Sequence, residues 1–113
     1  MGEEIPEIEA DDAYAAVEAG AFLLDVREPD EWAAGHAPDA VHVPMTEVLE
    51  RVGEVPRDRL VVAICRSGGR SRAIAEVLAA DGYDVVNTIG GMRAWQMFGY
   101  DVVTDAGTPG AVI

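Results

Sequence analysis

One stretch decides the fold of this chain: Leu60-Val61-Val62-Ala63-Ile64-Cys65-Arg66-Ser67-Gly68-Gly69-Arg70-Ser71. Its first five residues are apolar and largely β-branched, which is typical of a buried strand. A glycine-rich loop flanked by arginines follows, and residues 71–80 have the spacing of an amphipathic helix. The order of strand, tight loop and helix predicts an α/β domain in which Cys65 lies at the carboxyl end of a strand.

Cys65 is the only cysteine of the chain, and the loop around it suits an anion. Backbone N–H groups of such a loop point inward, and the start of a helix adds unpaired donors and partial positive charge. A guanidinium of Arg66 or Arg70 at about 6 Å lowers a thiol pKa by about two units at an effective dielectric near 20. Gly68 and Gly69 allow backbone conformations that other residues avoid. The loop therefore predicts a reactive thiolate, and the alternative is a buried core thiol at a strand end.

The composition limits the partners of this chain. It has 113 residues and a net charge of −13, and all eight basic residues are arginines. Such an acidic chain disfavours nucleic acid and membrane surfaces as partners, although Arg66, Arg70 and Arg72 make the loop locally positive. No apolar run approaches the roughly 20 residues that span a bilayer, and residues 1–5 lack the features of a signal peptide. A lone reactive thiol suits a reducing compartment, so we expect a cytoplasmic protein.

Apolar runs alternate with amphipathic ones along the rest of the chain, which is the α/β pattern. We expect strands at residues 5–8, 21–26, 41–43, 60–64 and 83–87, and helices at residues 11–19, 29–34, 46–52, 71–80 and 92–98. Asp11 is the expected N-cap of the first helix. A last extended piece is expected at residues 100–103, followed by a loose tail at residues 104–113, so the single domain is placed at residues 1–103.

Four segments in order resemble a single-domain rhodanese, a sulfurtransferase: Leu24 to Glu28, Gly35 to Pro44, Cys65 to Ser71, and Gly90 to Trp95. The match covers residues 22–102, although Ala37, Asp39 and His42 replace the Ile, Gly and Asn that are commoner in the family. The resemblance implies a small domain with a mostly parallel five-stranded sheet flanked by helices.

The resemblance also implies the chemistry. Cys65 takes sulfane sulfur from an anionic donor such as thiosulfate, holds it as a persulfide, and passes it to a thiophilic acceptor, which is cyanide, a thiol or a protein. No metal or organic cofactor is needed. The outer sulfur of a persulfide is anionic, so the residues that follow Cys65 are expected to bind the substrate: Arg66, Ser67, Gly68, Gly69, Arg70 and Ser71. For the two arginines of this set the alternatives are recruitment of the anion and salt bridges to carboxylates such as Glu76.

Other polar residues are interpreted as structural. Asp25 and Arg27 are expected to support the loop from behind as an ion pair or through hydrogen bonds, not as catalytic acid and base. His36 and His42 are expected to be structural, because a thiolate stabilised by N–H donors needs no base. Two histidines and one cysteine without paired-cysteine spacing predict no zinc site.

Three other functions compete with sulfur transfer. Rhodanese-fold phosphatases and arsenate reductases place five residues between cysteine and arginine, whereas four separate Cys65 from Arg70, and the tighter loop favours sulfur over a tetrahedral oxyanion. A persulfide carrier that serves a dedicated partner, with little activity on small molecules, is the alternative within the family. A non-catalytic interaction domain is the third, and the intact loop argues against it.

Overall fold

The computed structural model describes residues 4–113 and contains one five-stranded sheet between layers of helices. The strands are β1 (Glu7–Ile8), β2 (Phe22–Asp25), β3 (Val41–His42), β4 (Val61–Ile64) and β5 (Val85–Thr88). The α-helices are α1 (Ala10–Glu18), α2 (Pro29–Ala34), α3 (Gly69–Ala80) and α4 (Gly91–Met97). Residues 1–3, which belong to the predicted domain and to the N-terminus predicted to lack a signal peptide, lie outside the described residues. No helix within residues 4–113 is long and apolar enough to cross a bilayer.

The sheet has the order β1-β5-β4-β2-β3, and every strand pairing is parallel. This confirms the predicted five-stranded α/β fold. All residues of β2 and β4 are buried, as expected for central parallel strands covered on both faces. Because all strands run in one direction, the segments that follow β2, β4 and β5 meet at the same edge of the sheet.

Two apolar clusters lie on opposite faces of the sheet. On one face α3 contributes Ile74, Ala75 and Leu78, which pack with side chains of β2, β4 and β5. On the other face α1 contributes Ala13, and α4 contributes Met92 and Trp95. The chain is therefore a three-layer domain that holds the Cys65 loop between the start of α3 and the start of α4.

Helices α1 and α3 begin earlier than the sequence indicated. Helix α1 starts at Ala10 after Glu9, without a side-chain cap, so the prediction that Asp11 is the N-cap is wrong. Ala10 is completely buried, and this burial favours a helix that begins one residue before Asp11. Helix α3 starts at Gly69, two residues before the predicted Ser71, because Gly68 turns the chain with φ +113° and buries the Ser71 side chain.

The helix predicted at residues 46–52 is wrong. The segment instead forms two 3-10 turns, Met45–Glu47 and Val52–Glu54. Val48 is fully buried while Leu49 is 73% exposed, so only a narrow stripe packs against the core. Three β-branched residues, Thr46, Val48 and Val52, and the following Gly53 also lower the helix propensity of this stretch. The weak contact with the core leaves tight turns as the stable local structure.

The last residues do not form the loose tail that was expected. The chain folds back after Val103, which exchanges backbone hydrogen bonds with His36 at 2.8 Å in both directions. The N–H of Gly110 donates to Val102, and the N–H of Ala111 donates to Ala34. Only bridges form between residues 100 and 113, so the extended piece predicted at residues 100–103 is not a regular strand. Backbone hydrogen bonds to α2 and to the segment that follows it order this end of the chain.

A buried ion pair follows β2. The Arg27 guanidinium donates to Asp25 at 2.8 Å from Nη2 and at 3.0 Å from Nε, and both side chains are fully buried. Arg27 also donates to the carbonyls of Glu31 and Gly35 at the two ends of a helical turn. The pair therefore fixes α2 against the end of β2.

We expect Arg27→Ala to lower the free energy of unfolding by about 3–5 kcal/mol, because it leaves a buried carboxylate without its cationic partner and with only the backbone N–H of residue 27 as a donor. The exposed pair of Arg57 with Asp81 provides the control, and Arg57→Ala should cost about 1 kcal/mol or less. Urea denaturation monitored by circular dichroism measures both values. Replacing both partners, as in Asp25→Leu with Arg27→Met, should recover much of the loss. A cost for Arg27→Ala no larger than that for Arg57→Ala would contradict this account.

Candidate active site

Cys65 lies directly after β4, where the chain turns into α3. Its side chain is nearly buried, with 1% of the residue exposed. Gly68 adopts a left-handed conformation, and its N–H donates to Cys65 Sγ at 3.1 Å. The turn thus aims a backbone donor at the sulfur from the first residues of α3, where N–H groups lack partners within the helix.

A second donor reaches the sulfur from inside α3. The hydroxyl of Ser71 lies 3.3 Å from Cys65 Sγ and 2.6 Å from the side-chain oxygen of Asn87, which is in β5. Both Ser71 and Asn87 are fully buried. Asn87 was not among the residues that the sequence singled out, because it lies within an apolar strand and is distant from the loop in sequence.

Hydrogen bonds account for the lowered pKa of this thiol. Burial raises the pKa of Cys65, but the hydroxyl of Ser71 and the backbone N–H groups of Ser71, Gly68 and Ser67 outweigh it, so that the pKa lies below its ordinary value. The sequence attributed most of this lowering to a nearby guanidinium. Neutral donors held by the turn replace it as the main cause.

Arg70 is engaged in an ion pair. Its guanidinium donates to both carboxylate oxygens of Glu31 in α2, at 2.7 and 2.8 Å. The hydrogen bonds from Arg70 hold the pKa of Glu31 at about 2. Glu76, the carboxylate suggested by the sequence, instead lies near Arg72 at 3.5 Å. Glu31 therefore offsets much of the charge that Arg70 brings to the loop.

Two arginines at the loop have no carboxylate partner among residues 4–113. Arg66 follows Cys65 directly and is exposed, and so is Arg93 in α4. The backbone N–H of Arg93 donates to the carbonyl of Arg66 at 3.1 Å. The sequence did not identify Arg93, although its position just after the Gly90-Gly91 pair is the signal that places it beside the loop.

Gly91 allows α4 to approach the loop. Its φ of +56° is unfavourable for other residues, and a Cβ at this position would overlap the carbonyl of Cys65. The N–H of Met92 donates to that same carbonyl at 2.7 Å. The start of α4 therefore fixes the backbone of Cys65 from the side opposite to α3.

The remaining candidates surround the loop without contacting the sulfur. Asp25 and Arg27 hold α2, which carries Glu31 and so positions Arg70. Nε2 of His42 lies 2.7 Å from the carbonyl of Arg27. Gly69 is the first residue of α3. In the part of the chain that the structure describes, no three His, Cys, Asp or Glu side chains gather as a metal site.

Most of the chain is similar to proteins of one known family. Residues 9–98 match the family described as rhodanese-like domain. A sulfurtransferase from Allochromatium vinosum is 43% identical over 87 residues, which cover 76% of this chain and 81% of the relative. The thiosulfate sulfurtransferase GlpE of Pseudomonas syringae is 33% identical over 94 residues, which cover 82% of this chain and 89% of the relative.

A solved structure agrees with these relatives. The crystal structure of a rhodanese-related protein from Thermoplasma volcanium superimposes with a TM-score of 0.83 at 35% identity. The superposition covers 88% of this chain and 99% of the other. The fold and the sequence thus point to the same family.

We expect the rate of Cys65 alkylation by iodoacetamide to reach half of its plateau below pH 8.5, which is about the ordinary pKa of a free cysteine. Only the thiolate reacts, so a lowered pKa moves the rise to lower pH. Because fixed neutral donors are not screened by ions, the midpoint should change little between low and high salt. Mass spectrometry of samples quenched at successive times measures the alkylation rates. A midpoint above pH 8.5, or one that rises strongly with salt, would contradict the assignment to hydrogen bonds.

Proposed function

The chain belongs to the rhodanese-like domain family, and we propose that it is a sulfurtransferase that carries sulfane sulfur as a persulfide on Cys65. The observation that supports this proposal most directly is the set of donors on the sulfur, the N–H of Gly68 and the hydroxyl of Ser71. They favour the thiolate, which is the nucleophilic form. The relatives named sulfurtransferase support the same reaction class.

The proposed reaction has two displacements at sulfur. In the first, the Cys65 thiolate attacks the outer sulfur of an anionic donor such as thiosulfate, the S–S bond of the donor breaks, and sulfite leaves with the electron pair. In the second, an acceptor thiolate or cyanide attacks the outer sulfur of the Cys65 persulfide. The persulfide bond breaks, the sulfur moves to the acceptor, and the thiolate of Cys65 is restored. In each step one nucleophile replaces another on the same sulfane sulfur, and the electron pair of the broken S–S bond stays on the leaving group, so no external oxidant or reductant is required.

The loop suits the charge that these steps create. In the persulfide the negative charge lies on the outer sulfur, one bond beyond Sγ. We propose that the N–H groups of Ser67, Gly68 and Gly69 donate hydrogen bonds to this charged outer sulfur. Arg66 and Arg93 extend the positive potential to the surface, where the donor anion first meets the chain. This matters on a chain with a net charge of −13, because the rest of the surface repels anions.

A persulfide carrier is the second candidate. Cys65 is only 1% exposed, which limits the approach of an acceptor to the sulfur and favours one whose shape fits the loop. In that case the chain loads from a small donor but discharges to a protein partner. Rapid discharge to cyanide separates the enzyme from the carrier.

Incubation with thiosulfate should add one sulfur atom to Cys65, because the lowered pKa of the thiol favours the nucleophilic thiolate. Intact mass spectrometry with peptide mapping locates the added atom. Cys65→Ser should abolish both the added mass and thiocyanate formation. Thr88→Val is the control, because this buried hydroxyl has no hydrogen-bond partner among residues 4–113 and should not affect loading. Thiocyanate formation by Cys65→Ser at the parent rate would exclude Cys65 as the nucleophile.

Arg66→Ala should raise the KM for thiosulfate by about tenfold, which corresponds to about 1.4 kcal/mol, with a smaller effect on kcat. The guanidinium has no carboxylate partner within residues 4–113, so its charge is available to the donor. Arg59→Ala is the matched control. Arg59 also lacks an ion pair among those residues, but it contacts Gly20 and the Phe22 ring at the opposite end of the sheet. Equal KM values for the two variants would exclude recruitment by Arg66.

A further inference from the structure

The orientation of the Asn87 carboxamide is fixed by its partners. Its Nδ2 lies 2.8 Å from a carboxylate oxygen of Glu7 and 3.0 Å from the carbonyl of Gly68. A carboxylate and a carbonyl only accept hydrogen bonds, so the NH₂ group must face them. The side-chain oxygen of Asn87 therefore faces Ser71 and acts as an acceptor.

Ser71 faces three acceptors with one hydrogen. Its hydroxyl oxygen lies 2.6 Å from the Asn87 oxygen and 3.3 Å from Cys65 Sγ. The most distant acceptor, the Gly68 carbonyl at 3.4 Å, already accepts from Asn87 Nδ2 and from the N–H of Arg72, so the competition lies between the other two. A hydroxyl donates one hydrogen bond at a time, and both groups are fully buried, so water does not supply a second donor. When the hydroxyl donates to one acceptor, the other loses it.

We propose that Asn87 is a positioning residue that competes with the Cys65 sulfur for the single hydroxyl hydrogen of Ser71. The consequence of this competition for catalysis rests on the proposed function. The competition itself does not, because it concerns the thiol before any sulfur is bound. Asn87 does not contact the reacting sulfur and acts through Ser71.

The competition follows the charge on the sulfur. In the thiolate the full charge on Sγ attracts the hydroxyl hydrogen, and the Asn87 oxygen loses its donor. In the thiol the hydroxyl donates to Asn87, and the proton on sulfur can donate to the hydroxyl oxygen, so all three groups are satisfied. In a persulfide the charge has moved to the outer sulfur, Sγ is a weak acceptor, and the hydroxyl again turns to Asn87. Asn87 thus limits the stability of the thiolate and favours the loaded form.

The test is the pH profile of Cys65 alkylation by iodoacetamide in the parent protein and in four variants. Ser71→Ala should raise the midpoint by about one unit, equivalent to about 1.4 kcal/mol, because the thiolate loses a donor. Asn87→Val should lower it by about half a unit, because the hydroxyl then loses its nearest competing acceptor, while the Gly68 carbonyl at 3.4 Å still accepts from the N–H of Arg72. In the Ser71→Ala background, Asn87→Val should leave the midpoint unchanged. Thr88→Val, on the same strand, should match the parent.

The direction in which Asn87→Val shifts the alkylation midpoint shows whether Asn87 acts through Ser71 or only supports the fold. If Asn87 merely held the Gly68 turn, its loss would weaken the Gly68 donor and raise the midpoint. A rise or no change with Asn87→Val, or the same fall in the Ser71→Ala background, would overturn the proposal. Valine leaves no orphaned carbonyl, because Gly68 also accepts from the N–H of Arg72 at 3.2 Å. Should this variant fail to fold by circular dichroism, Asn87→Ala makes the same test with less bulk.

Alkylation involves no sulfur transfer, so this test and that of the proposed function fail independently. A parent protein that gains no sulfur from thiosulfate would refute persulfide chemistry, yet its titration would still report the competition. Conversely, normal loading of the parent together with an alkylation midpoint that does not fall in Asn87→Val would support the proposed function and refute the role of Asn87.

Discussion

The site depends on one hydrogen bond, which runs from the N–H of Gly68 to the sulfur of Cys65. It exists because the chain reverses within the three residues that follow Cys65, and this reversal requires the left-handed conformation of Gly68. The turn brings the first residues of α3 onto the sulfur. It also places the carbonyl of Gly68 against Asn87, so the same residue links the thiol to β5. A side chain at position 68 would strain the turn and separate these contacts.

Most arginines of this acidic chain are occupied by carboxylates, and that distribution shapes the site. Arg27, Arg51, Arg57, Arg70 and Arg72 are paired within the chain. Arg70 illustrates the result: it lies at the loop, but its bidentate contact with Glu31 makes it part of the support of α2. Among the described residues, Arg66 and Arg93 are the arginines beside the Cys65 loop whose positive charge is not offset by a carboxylate. Position beside a reactive group is therefore a poor guide to the role of an arginine until its partner is known.

The sequence was sufficient for the parts of the fold that local pattern determines. The apolar run of β4, the glycines after Cys65 and the amphipathic spacing of α3 place the thiol at a strand end without any long-range information. The residues that tune the thiol could not be found in this way. Asn87 contacts Ser71 across 16 positions, and Glu31 contacts Arg70 across 39. Such pairs follow from the register of the sheet and the packing of α2, which composition and periodicity do not encode.

The same limit explains the end of the chain, where Gly and Pro suggested a free tail. Gly110 and Gly35 approach so closely that a Cβ on Gly110 would lie 2.8 Å from the Gly35 Cα, and small residues are what permit the contact. Asp105 adds hydrogen bonds to Trp32 and His36. The C-terminal segment thus packs against α2, which carries Glu31, the carboxylate that binds Arg70. Hydrogen exchange at the Ala111 amide should therefore report the same local opening event that releases the Arg70 guanidinium to solvent.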